Sequence, residues 1–169
     1  TSRLKLPPSS RLSTVKRLQR EQVPMPAIKF KKLSAAAVIP AYAHPGDAGA
    51  DLVAIDRHIL EPSQRLAIPT GLAADIPRGY EMQVRPKSSL ALNHGITVLN
   101  TPGTIDADYR GEIKVILINL GQATVEISPG QRIAQIVIAP VVRVEFAMVD
   151  SLNQTQRGEG GFGSTGKTY

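Results

Sequence analysis

From about residue 27 onward the apolar residues come in short runs, none long enough for an extended amphipathic helix. Eight runs stand out: "IKFKKL", "DLVAI", "RLAIPTGLAADI", "YEMQVRP", "GITVLN", "IKVILIN", "TVEI" and "QRIAQIVIAPV". They are rich in Ile and Val and are separated by Pro-Gly, Gly-Asp, Arg-Gly and Leu-Gly turns. Branched side chains suit a pleated surface, and Gly and Pro supply the backbone angles of tight turns. The pattern therefore predicts an all-β sandwich or barrel. Within "EIKVILIN", Ile113, Val115 and Leu117 alternate with Lys114, Ile116 and Ile118, so both faces are mostly apolar. Such a strand is predicted to lie deep or at a contact between subunits.

The 169 residues fit one domain, long enough to bury roughly two-thirds of the surface of the unfolded chain. Apolar runs stop well short of the roughly 18 residues a membrane span requires, so no membrane partner is expected. There is no Cys, which excludes disulfides and thiolate zinc sites and suits a reducing compartment. His44, His58 and His94 are too far apart in sequence to suggest a metal site and are expected on the surface or in loops.

The net charge of +6 is concentrated at one end. Six bases (Arg3, Lys5, Arg11, Lys16, Arg17 and Arg20) fall in the first 20 residues without an acid, leaving fourteen bases against fourteen acids in the rest. A neutral body with three Phe, four Tyr and no Trp lacks the basic stripe and stacking platform of a nucleic-acid module, so no nucleic-acid partner is expected. Residues 1–23 read as a basic, flexible extension. The Ser-containing, acid-free composition of residues 1–20 also fits an organelle transit peptide, and cytoplasm is the expected location otherwise. Residues 24–150 form the β domain, and residues 151–169 form a Gly-rich arm that cannot build its own core.

The densest chemistry lies in "GTIDADYRGE", residues 103–112. Asp106, Asp108, Tyr109 and Arg110 stand between two glycines, directly before an apolar strand, and a polar cluster on a hairpin reads as a site. Asp108 is expected to be structural. Four further motifs join it: "AGAD" (48–51), "RPKSSLA" (85–91), "GQRIAQ" (130–135) and "RGEGGFGST" (157–165). With "NTPGTIDADYRGE" (100–112) they make five in order. Any one is weak alone, but together, over residues 24–166, the chain closely resembles the homotrimeric dUTPase family.

The resemblance implies a distorted jelly roll of the β-clip type and a homotrimer whose active sites are shared between subunits. It implies Mg²⁺-dependent hydrolysis of dUTP to dUMP and pyrophosphate, which limits uracil in DNA and supplies dUMP for dTMP synthesis. Asp106 falls at the position of the water-activating carboxylate, a role worth typically about 10²- to 10⁴-fold. Tyr109 falls where the family packs a ring against the deoxyribose and excludes a 2′-hydroxyl. Asn100, Gly103, Thr104 and Ile105 belong to the hairpin that binds the uracil. Ser88 matches a phosphate-binding serine, flanked by Arg85, Lys87 and Ser89. The commoner family pattern has Arg at position 87 and Gly at 89; lysine keeps the charge but loses the planar fork. Gln135 lies near the phosphates, and Asp51 near the metal, acting through water. In the arm, Arg157 reaches the γ-phosphate, Phe162 stacks on uracil, and Gly163, Ser164 and Thr165 meet phosphate oxygens.

"GFGSTGKT", residues 161–168, also matches the phosphate-loop pattern letter for letter. That pattern works where a buried strand leads in and a helix follows; a single residue follows here, so no such loop is expected. Two other function classes share parts of this pattern. A related dCTP deaminase has the β fold without this combination of motif and tail, and a regulatory binder would keep the pocket without turnover.

Overall fold

The computed structural model describes residues 25–161, and the N-terminal extension lies outside them. In chain order the elements are β1 (Lys29–Lys32), β2 (Ala50–Val53), β3 (His58–Leu60), β4 (Arg65–Pro69), β5 (Leu72–Asp75) and β6 (Tyr80–Pro86). There follow α1 (Ser88–His94), β7 (Ile96–Val98), β8 (Gly103–Ile105), β9 (Lys114–Asn119), β10 (Val125–Ile127) and β11 (Arg132–Pro140). All strand pairs are antiparallel. One sheet runs β2, β11, β6, β8 and another β4, β9, β7, while β1–β5 and β10–β3 form two-stranded ribbons. The expected all-β class is observed.

The core lies between the two larger sheets. Leu52, Met82, Val84, Ala134 and Ile136 come from the first, and Ile68, Ile96, Val98, Val115 and Leu117 from the second. Each large aliphatic side chain removed from water contributes roughly 1.5–3 kcal/mol. In β9 the predicted alternation holds: Val115 and Leu117 are buried, as is Ile113 just before it, while Ile116 and Ile118 are half-buried on the other face. A bulge in β11 interrupts the alternation, since Arg132 faces Val53 but Ala134 faces Leu52. The extra residue lets Ile133 and Ala134 both enter the core.

Three elements are absent from the sequence expectation. Strands β3 and β8 are three residues each, too short to show alternation, and exist because β10 and β6 present ladders to them. Helix α1 is a seven-residue piece ended by Gly95, whose φ of 68° is left-handed. A side chain there would also begin 2.6 Å from the Gly121 nitrogen, so both conformation and space require glycine. The run at 65–76 is two strands, broken at Thr70–Gly71. His44 and His94 are exposed as expected, but His58 lies in β3 with its Nε2 buried and without a hydrogen-bond partner among the described residues.

Two polar side chains are fully buried among the described residues, Thr70 and Asn119, and both are satisfied. Thr70 Oγ1 donates to the Ile113 carbonyl at 2.6 Å. Asn119 Nδ2 donates to the carbonyls of Leu60 (3.0 Å) and Ala123 (2.8 Å), and its Oδ1 accepts from the Gly121 N–H (2.9 Å). One amide thus joins β3, β9 and the turn toward β10. Asn119→Leu orphans these three backbone groups, so stability should fall by about 2–4 kcal/mol, read as a lowered denaturation midpoint. An unchanged midpoint would show that the amide is dispensable.

Candidate active site

Strand β8 and the turn after it, residues 106–112, bring several predicted residues to one cavity of about 500 Å³. Asn100, Gly103, Thr104, Ile105, Asp106 and Tyr109 line it, and Ala67, Lys114 and Ile116 form part of its wall. The turn is closed by the Tyr109 N–H donating to the Asp106 carbonyl at 3.1 Å. Thr104 stands opposite Gln83 on β6, so the ladder fixes its register. Asp106 and Tyr109 are exposed to the cavity mouth rather than packed in the core.

The end of this turn is fastened to the segment around residue 71. The Gly71 N–H donates to Glu112 Oε1 (3.0 Å), and the Ile113 N–H donates to the Leu72 carbonyl (2.7 Å). Arg110 ties down the middle. Its Nη1 donates to the carbonyls of Ala107 (2.7 Å) and Tyr109 (3.0 Å), and its Nη2 pairs with Asp75 Oδ1 at 2.5 Å. Both ends and the centre of the loop are therefore held before any ligand arrives.

A second group lies on the polar face of the four-stranded sheet. Asp51, Gln135 and Arg85 stand opposite one another across β2, β11 and β6, forming one row. Lys87 Nζ reaches Asp51 Oδ1 at 2.7 Å, and Arg132 Nη1 lies 3.3 Å from its Oδ2. Gln135 Nε2 donates to the Pro86 carbonyl at 3.1 Å, which supplies part of what this amide needs on an otherwise apolar strand. Arg85 is exposed and donates to Gln83 Oε1 through Nε (3.1 Å) and Nη2 (2.6 Å). Ser88 and Ser89 are exposed at the start of α1. None of these residues lines the cavity of their own chain.

Strand β11 ends at Pro140, and residues 141–161 form neither helix nor strand. Arg157 is exposed, with Nε donating to the Gly160 carbonyl at 2.8 Å, and does not join either group. Phe162, Gly163, Ser164 and Thr165 lie outside the described residues.

A family model described as dUTPase matches residues 35–166. The chain belongs to the dUTPase family. Its sequence is 59% identical over 140 residues to the deoxyuridine 5'-triphosphate nucleotidohydrolase of Nautilia profundicola, spanning 83% of this chain and 99% of that one. The protein of the same description from Chlamydia pneumoniae is also 59% identical over 140 residues, covering 81% and 97%. Among solved structures, a dUTPase mutant of Staphylococcus bacteriophage 80alpha with dUpNHpp superposes with a TM-score of 0.78 at 27% identity, covering 83% of this chain and 99% of that chain. A mutant dUTPase from phage phi11 of S. aureus, whose structure concerns coordination of a structural Mg(II) ion, gives 0.70 at 25% identity, covering 76% and 99%.

For this dUTPase-family chain, sequence reasoning named Asn100, Gly103, Thr104, Ile105, Asp106 and Tyr109 around the cavity but assigned no role to Arg110, Glu112 or Arg132. Their partners are distant in sequence: Arg110 reaches back 35 residues to Asp75, and Glu112 reaches back 41 to Gly71. The signal each carried was its place within a motif, Arg110 and Glu112 in "GTIDADYRGE" and Arg132 in "GQRIAQ". Because Arg110 makes charge-assisted bonds to two carbonyls and a carboxylate, Arg110→Ala should speed amide hydrogen exchange across residues 106–112 by about tenfold. Exchange in β9 and β11 should stay unchanged; uniform acceleration throughout the domain would count against a local role.

Proposed function

We propose that this chain hydrolyses dUTP to dUMP and pyrophosphate, with Asp106 orienting the attacking water. The observation that carries this is the convergence of Asn100, Thr104, Asp106 and Tyr109 on one cavity in a chain of the dUTPase family. Cleavage between the α and β phosphates needs a positioned base, compensated charge on the triphosphate and exclusion of wrong nucleosides. Asp106 supplies the base, at the rim where water has access. Tyr109 packs against the deoxyribose, and the 100–105 segment receives the uracil edge.

Arg85, Lys87, Ser88, Ser89 and Gln135 meet the phosphates. Because these residues do not line their own chain's cavity, the reading assembles each site from neighbouring copies of a homotrimer built on a distorted jelly roll. Exposed apolar side chains beyond β11 favour such an assembly: Val142, Phe146 and Met148 are 86%, 94% and 98% accessible. Residues 151–169 then act as the arm that closes over bound substrate. There Arg157 meets the γ-phosphate, Phe162 covers the base, and Gly163, Ser164 and Thr165 cradle phosphate oxygens, so that water is excluded at the moment of reaction.

The donor set suits Mg²⁺ bound chiefly by the substrate. Among the described residues no cluster of three His, Asp or Glu side chains could hold a metal alone. Asp51 offers a partly exposed carboxylate whose oxygens already face Lys87 and Arg132, which favours contact through water over direct ligation. When bound, Mg²⁺ supplies charge neutralisation on the triphosphate.

Pyrophosphate release with Mg²⁺ should be selective for dUTP over dTTP, dCTP and UTP, and Asp106→Asn should lose about 10²- to 10⁴-fold in kcat, roughly 3–5 kcal/mol. Ammonia release from dCTP would instead indicate a deaminase, and nucleotide binding without turnover a regulatory protein. Deleting residues 156–169 should leave a folded protein whose turnover is about 10²-fold lower or worse, and kinetics matching the full chain would remove the arm from the mechanism.

A further inference from the structure

Gly111 does not hold a positive φ, in contrast to Gly71 at 66° and Gly95 at 68°. A left-handed backbone therefore does not explain a glycine at this position. Packing does. A side chain on Gly111 would begin 2.6 Å from Cζ and 3.0 Å from Cε2 of Tyr109, and it would also collide with the Tyr109 hydroxyl oxygen. Carbon atoms do not approach a ring edge that closely, so the Tyr109 ring occupies the space that any side chain at 111 would claim.

The ring has little else to hold it. Tyr109 is 47% exposed, so the core does not clamp it. Its hydroxyl donates to the Glu112 carbonyl at 3.1 Å, and its own carbonyl accepts from Arg110 at 3.0 Å. A methyl at 111 would drive the ring edge away and break the hydroxyl bond, while the backbone anchors from Arg110 and Glu112 stayed in place. The displacement would thus fall on the ring and not on the fold.

We infer that Gly111 is a specificity-determining residue: its empty side-chain position is the seat of the Tyr109 ring and sets how closely that ring stands against the nucleotide sugar. The inference rests on the reading of Tyr109 as the sugar-facing residue. Rejecting an added hydroxyl by shape depends on sub-ångström placement, since a pocket wall that can retreat admits the larger sugar. Gly111 acts through Tyr109 and touches neither the reacting phosphate nor the base in this account.

The test compares kcat/KM for dUTP and UTP in the wild type, Gly111→Ala, Tyr109→Ala and the double variant. Gly111→Ala should lower the preference for dUTP over UTP by about tenfold or more, with a melting temperature close to wild type. In the Tyr109→Ala background, adding Gly111→Ala should change the preference no further, because the ring it displaces is gone. A preference within about twofold of wild type in Gly111→Ala, alongside a loss in Tyr109→Ala, overturns the seat while leaving the sugar reading intact. Undiminished preference in Tyr109→Ala sinks the sugar reading and the seat with it. If Gly111→Ala fails to fold, folding of the double variant supports the clash with the ring, and failure of both assigns Gly111 to the backbone instead.

Discussion

Strand β9 has to satisfy two environments at once, and the rest of the molecule is arranged around that requirement. One face sends Val115 and Leu117 into the core, and the other offers Ile116 and Lys114 to the cavity wall. It is the central strand of its sheet, with β4 paired along residues 114–118 on one side and β7 along 117–119 on the other. At its end, the buried Asn119 bonds three backbone groups. A strand fixed in this way cannot slip register without exposing its core face, because a shift of one residue reverses every side chain.

That fixed strand determines how well the site can be placed. The turn carrying Asp106 and Tyr109 runs from β8 into β9, and both ends are set by ladders before the loop begins. Arg110 and Glu112 then hold the loop itself through bonds to Asp75 and Gly71. Each surface contact is weak alone, worth up to about 1 kcal/mol for an exposed ion pair. Their value lies in geometry, since misplacing a reacting group by about 1 Å can cost about 10²-fold in rate. The cations around Asp51 follow another logic. The body of the chain is formally neutral, so any strong positive charge has to be local, and Lys87 and Arg132 are gathered at Asp51.

Much of the fold was legible in the residues. The runs at 114–119 and 132–140 became strands because their Ile and Val leave little other way to be buried, and 80–86 did so through the alternation of buried Met82 and Val84. The three-residue strands β3 and β8 were not legible, since "HIL" and "GTI" are strands only where a partner ladder exists. Helix α1 was hidden in "SSLALNH", whose only buried side chain is Leu90 and which shows no apolar stripe. Of the candidate residues, those of 100–109 were readable because they lie together in sequence, and β8 with the turn after it brings them to one cavity. The row Asp51, Gln135 and Arg85 could be named from separate motifs, but not seen as neighbours.

The sequence by itself determined the β class, the absence of thiol chemistry, the concentration of excess charge in the first 20 residues, and the residue types available for catalysis. These follow from composition and from short-range periodicity, which act over a few residues and need no fold. Only the tertiary structure decided that Arg110 meets Asp75, that Glu112 meets Gly71, that Lys87 and Arg132 share Asp51, and that the Tyr109 ring fills the space beside Gly111. Most of those contacts join segments far apart along the chain. They depend on strand order and register, which emerge when the whole core packs and which no local pattern encodes.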